Sequence, residues 1–97
     1  MTGFNEFNEY QRSTDEAVEY PRDLAVLYPV LGLGSGAGRL LSEVMQMLHV
    51  DGGILRVARR DALKVELSNV LWHVARAARE LDIDLADVAA QARERGK

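Results

Sequence analysis

Leu63, Leu67, Val70, Leu71, Val74, Ala77, Ala78 and Leu81 recur three and four residues apart. That spacing lines up one face of an α-helix and no face of a strand. It predicts an amphipathic helix over about 55–80 whose apolar side needs a partner. Leu40, Leu41, Val44, Met45 and Leu48 carry the same period to His49, where Asp51-Gly52-Gly53 halts it, so a second long helix is expected over about 29–49. Phe4, Phe7 and Tyr10 share one face of a short helix expected at about 4–15. Pro21 closes that opening section, and Asp23 is placed to cap the next helix. Asp82-Ile83-Asp84 reads as a break with a capping aspartate. Leu85, Val88 and Ala89 then begin a last short helix, ending in the polar tail Arg93 to Lys97. The expectation is an all-α helical bundle: two long antiparallel helices with short helices at each end, one domain over 1–97.

Composition removes several classes of function. With no cysteine among 97 residues there is no disulfide framework, thiolate nucleophile or cysteine zinc site. Fifteen acids against twelve bases leave a net charge of −3, which offers no footprint for nucleic acid and hints at cationic partners. The uncharged run Leu24 to Gly38 is interrupted by Pro29 and four glycines and falls short of the roughly 20 apolar residues that span a bilayer. The opening residues carry Glu6 and Glu9 and no basic stretch, so no secretory leader or membrane anchor is expected and the expected location is cytoplasmic.

Glycines alternate at 32, 34, 36 and 38 inside the second helical segment. Each is a poor helix former, so their presence predicts close backbone packing or a ligand approaching the chain. Gly32-Leu33-Gly34-Ser35-Gly36-Ala37 also satisfies the GxGxxA dinucleotide fingerprint, but Pro29 and the lack of a second strand argue against that reading. Ser35 has no sequence neighbour to activate it as a nucleophile. His49 and His73 lie in separate segments without metal-ligand spacing. Arg56, Arg59, Arg60 and Lys64 form a basic stripe that is either a solvated face or a phosphate contact. Glu66, Asn69 and His73 share one stripe of the third helix, and Gly36, Arg39 and Glu43 one stripe of the second. An antiparallel hairpin would bring these stripes face to face, the arrangement from which carboxylates of a bundle hold a hard cation.

Several segments resemble the MazG-like all-α nucleoside triphosphate pyrophosphohydrolases. Phe7-Asn8-Glu9-Tyr10-Gln11 is similar to that family's opening helix, and Tyr20-Pro21 with Leu27 to Leu33 to its links into the second helix. Glu66 to Ala75, ELSNVLWHVA, resembles its most diagnostic stretch, and Leu81 to Val88 its approach to the last helix. Together the segments cover about residues 4–90. The resemblance implies cleavage of a nucleoside triphosphate to monophosphate and pyrophosphate, with Mg²⁺ held by second-helix glutamates and a third-helix ExxD pair. Those ligands would fall at Ser35, Gly36, Arg39, Glu66 and Asn69, and only Glu66 is a carboxylate.

Glycine offers no ligand, asparagine a neutral oxygen, and arginine a positive charge where the cation belongs. Arg39 is therefore expected to pair with Glu66, its guanidinium standing in for the metal. The reading is a MazG-like protein that has lost pyrophosphohydrolase activity and acts by binding a nucleotide or by assembly. The alternative is an active Mg²⁺-dependent enzyme with a rearranged site using Glu43 and Glu66. Lys64, Trp72 and His73 are the candidate nucleotide contacts. A homodimer or tetramer is expected, because long amphipathic helices leave apolar faces to cover.

Overall fold

In the computed structural model, which describes residues 4–96, the chain is all-helical, with no strand among those residues. Four helices come in order: α1 (Asn5–Ser13), α2 (Leu27–His49), α3 (Val57–Glu80) and α4 (Leu85–Arg95). Single 3₁₀ turns at Thr14–Ala17 and Arg22–Leu24 connect α1 to α2. Lys97, the end of the expected polar tail, lies outside the described residues. The two long helices begin at 27 and 57, against expected starts of 29 and 55. Pro29 belongs to the first turn of α2, where its missing N–H has no helical acceptor to lose, so the helix starts ahead of it. The GxGxxA segment lies inside α2 and is preceded by no strand, which removes the dinucleotide reading.

The α2–α3 hairpin turns at Asp51-Gly52-Gly53, where Gly52 and Gly53 take φ of 67° and 77°, the left-handed region that glycine enters without cost. Its two helices meet through glycine. A Cβ on Gly32 would overlap the His73 ring, and one on Gly36 would lie 2.9 Å from Val70 Cγ2. Gly34 and Gly38 point elsewhere: a Cβ there would meet no atom within 4 Å. Two of the four glycines thus seat α3 side chains, and the other two face outward.

The short helices are tied down by polar side chains. Arg76, 3% exposed, uses all five of its N–H groups. Nε and Nη2 donate to Tyr20 Oη at 3.2 and 3.1 Å, Nη1 to Thr14 Oγ1 at 3.1 Å and to Asp15, and Nη2 to Glu80 at 2.8 Å. Tyr20 O–H in turn donates to Glu80, and Arg22 grips the same carboxylate with two bonds of 2.7 and 3.0 Å. Asp84 occupies the N-cap position of α4, but its side chain makes no capping bond. Residues of α1 supply the caps: Gln11 Oε1 accepts from Leu85 N at 3.1 Å and Asn8 Oδ1 from Ala86 N at 2.9 Å. Gln11 Nε2 also donates to Ile83 O at 2.8 Å, across the turn that ends α3. That turn is a Schellman motif, with Ile83 N bonded to Ala78 O, Asp82 N to Arg79 O, and Asp82 at φ 59°. No buried side-chain nitrogen or oxygen among the described residues lacks a partner.

Both kinds of packing are open to test. Gly32→Ala lowers unfolding stability by about 1–3 kcal/mol through overpacking, and urea titration of the double variant shows a smaller cost in a His73→Ala background. The bond from Arg22, joined by those from Tyr20 and Arg76, holds Glu80 at about 2, below its ordinary 4.5, against the opposing effect of burial. A carboxylate depressed by folding stabilises fully above its unfolded value, and that contribution is lost as pH falls through the folded one. Thermal melts between pH 5 and 2 will show stability declining across that window, and Glu80→Gln will make the decline shallower.

Candidate functional site

The hairpin brings the two sequence stripes together, and α2 meets α3 in opposite order along their lengths. Gly32 faces His73, Gly36 faces Val70, Arg39 reaches Glu66, and Glu43 reaches Arg59. Arg39 Nε donates to Glu66 Oε1 at 2.9 Å, while its Nη1 donates to Ser35 Oγ one turn back at 2.7 Å. The guanidinium therefore joins two of the five positions where the resemblance implies metal ligands, and itself occupies a third. Gly36, the fourth, is buried against Val70 and brings no oxygen from a side chain. Asn69, the fifth, is exposed on α3, and its backbone carbonyl accepts a 2.7 Å bond from His73 Nδ1. Since a carbonyl only accepts, that bond requires the proton on Nδ1.

Glu43 is drawn the other way. Arg59 Nη1 donates to Glu43 Oε1 at 2.8 Å, and Arg59 Nε and Nη2 donate to the two Asp51 oxygens at 2.9 and 3.3 Å. The bonds from Asp51, then Glu43, push the Arg59 guanidinium further up from its already high range, and Arg59 holds Asp51 below the usual carboxylate range. Glu43 and Glu66 thus each have an arginine, and no three His, Asp or Glu side chains among the described residues gather as a metal site. Arg59 belongs to the basic stripe of 56, 59, 60 and 64, so one member of that stripe is an ion-pair partner of the hairpin turn.

Trp72 and His73 line a recess of about 250 Å³ with Glu19, Tyr20, Tyr28 and Pro29. The Tyr20 and Tyr28 rings stack there at 5.4 Å, and the Trp72 and His73 rings meet edge to face at 5.1 Å. Lys64 lies elsewhere, in a hollow with Val57, Arg60 and Leu67, about 12 Å back along the helix from Trp72 at 1.5 Å per residue. Tyr28 carries no charge and was not among the expected nucleotide contacts; its place in the recess with Trp72 comes only from the fold. Arg76, the most enclosed charged side chain among the described residues, lies on the opposite side of α3 from the apolar stripe, three residues past His73; the available signals were its small neighbours Ala75, Ala77 and Ala78 and Glu80 four residues on.

No family model matches the chain, and no solved structure matches it. Over 61 residues it is 36% identical to the Gene 37 protein of Mycobacterium phage L5, covering 63% of this chain and 54% of that protein. The chain spans about half the length of the curated relative it matches. No helix among the described residues is long and apolar enough to cross a membrane.

The Arg39–Glu66 pair is partly solvated, with the arginine side chain 45% exposed. Pairs of this kind contribute at most about 1 kcal/mol. Arg39→Gln will therefore change stability by less than about 1 kcal/mol, whereas Arg76→Met, which takes the donor from the buried Thr14 and Tyr20 hydroxyls and one bond from Glu80 while Arg22 still pairs that carboxylate, will cost about 1–3 kcal/mol. Urea titrations of the two variants make the comparison.

Proposed function

We propose that this chain is a MazG-like helical protein that has lost nucleoside triphosphate pyrophosphohydrolase activity and acts through assembly or non-hydrolytic nucleotide binding. The observation that carries the reading is the Arg39 guanidinium bonded to Glu66 and Ser35. Mg²⁺ demands several oxygen ligands in near-octahedral order, with carboxylates to neutralise it. Here a fixed positive charge adjoins the one carboxylate that remains of the implied ligand set, so these residues do not fit the ion. Glu43, the other acid from which a rearranged site would be built, is bonded to Arg59.

Assembly is the favoured mode, with a homodimer or tetramer as its product. Large apolar side chains remain exposed on both long helices, among them Leu31, Leu41, Val57 and Leu67. A nucleotide, if bound, finds stacking faces at Tyr28, Trp72 and His73 rather than at Lys64. Purified protein incubated with a panel of NTPs and dNTPs plus Mg²⁺ or Mn²⁺ will release no pyrophosphate above background. Robust release that Glu66→Gln abolishes would overturn the reading.

A further inference from the structure

α2 is apolar on two opposite sides, and α3 covers only one. Pro29, Gly32, Gly36, Glu43 and Met47 turn toward α3 or the core and are buried or half-buried. At about 100° per residue, the opposite side carries Leu27, Leu31, Gly34, Gly38, Leu41, Met45 and Leu48. Its five large residues are between 44% and 64% exposed, and a Cβ at either glycine meets open space. Arg39 and Glu43 are the only Asp, Glu, Lys or Arg residues in α2, and both are bonded to α3, so no such charge marks the outer side as a water-facing surface. Each apolar side of a helix needs a partner to take it out of water, and the outer side of α2 has none among the described residues.

The dimensions of the chain state the same deficit. A compact 10.8 kDa monomer exposes about 5,500 Å²; this chain exposes 6,908 Å². A compact domain of this length has a radius of gyration of about 12.5 Å; this one measures 15.5 Å. The excess surface, about 1,400 Å² per chain, exceeds the roughly 800 Å² that each partner contributes to a standard stable interface.

We infer that the outer side of α2 is the interface with a second copy of this chain, the two α2 helices crossing antiparallel at Gly34 and Gly38. The stripe is spaced 4, 3, 4, 3, 4 from Leu27 to Met45 and is symmetric about position 36. A two-fold axis there sets Gly34 on Gly38 of the other copy, Leu31 on Leu41, and Leu27 on Met45. Such an isologous contact closes on itself as a dimer. Missing Cβ atoms at the crossing let the backbones approach, while the leucines on either side interlock. Opposed helix dipoles favour this direction over the parallel one. The inference rests on the assembly arm of the proposed function and is independent of the hydrolysis result.

The chain has no cysteine, so single cysteines report register without background. Sedimentation equilibrium at micromolar concentration will give twice the 10.8 kDa chain mass, and Leu41→Glu and Gly38→Glu will each halve it while keeping the helical circular dichroism. Under mild oxidation, Leu31→Cys mixed with Leu41→Cys will form a covalent dimer, and neither variant alone will. A monomer, whether or not it then binds vesicles or another protein, overturns the inference. So does an oligomer whose mass both charged variants leave unmoved, or one in which Leu31→Cys links to itself.

Discussion

The close approach of α2 and α3 at Gly32 and Gly36 is the constraint on which the rest of the hairpin depends. With the His73 ring lying where a Cβ of residue 32 would be, and Val70 packed against residue 36, the helices can neither slide nor separate without opening a void. That register then decides which charges meet. Three residues past Gly36, Arg39 arrives at Glu66, and one further turn on, Glu43 arrives at Arg59, which also holds Asp51 at the hairpin's end. The ion pairs are consequences of the packing: they mark the seam and add little to its strength, because they are partly solvated.

The other end of the molecule is held differently. Fully buried apolar side chains are few there, with Tyr20, Ala75, Ala78 and Leu85 as the enclosed set and Pro29 beside them. Arg76 links α3 to the segment after α1 through Thr14, Asp15 and Tyr20, while Gln11 and Asn8 supply from α1 the caps that α4 lacks locally. Removing one member of such a network leaves a charge or donor stranded in a poorly solvated place, so these few residues weigh more than their number. The outer side of α2, which this network does not cover, is the surface proposed for a second copy.

Periodicity made the helices legible because side chains three and four residues apart share one helical face, although on α2 most of the residues that carry it, Leu41, Val44, Met45 and Leu48, are exposed. The boundaries were less legible: Pro29 reads as a breaker, yet in the first turn of α2 it costs no bond. The four glycines gave the right physics without the division of labour. Which pair seats His73 and Val70, and which pair faces outward, depends on where α3 lies. Asp84 read as the cap of α4, and the capping oxygens came instead from residues more than 70 positions away, beyond the reach of any local pattern. The approach of Arg39 to Glu66 was legible, since matched stripes on antiparallel helices fix it. The diversion of Glu43 to Arg59 was not, because it depends on how tightly the Asp51-Gly52-Gly53 turn folds back. The proposed MazG-like reading rests on the resemblance, and the proposed loss of activity on the Arg39–Glu66 geometry; assays in solution test both.

A guanidinium in the place of a divalent cation is the central claim, and Mn²⁺ titration monitored by electron paramagnetic resonance tests it most directly. The hexaaquo Mn²⁺ signal will keep its full intensity as the protein is added, and wild type and Glu66→Gln will behave alike. Loss of that signal to one bound ion per chain in the wild type, restored by Glu66→Gln, would contradict it.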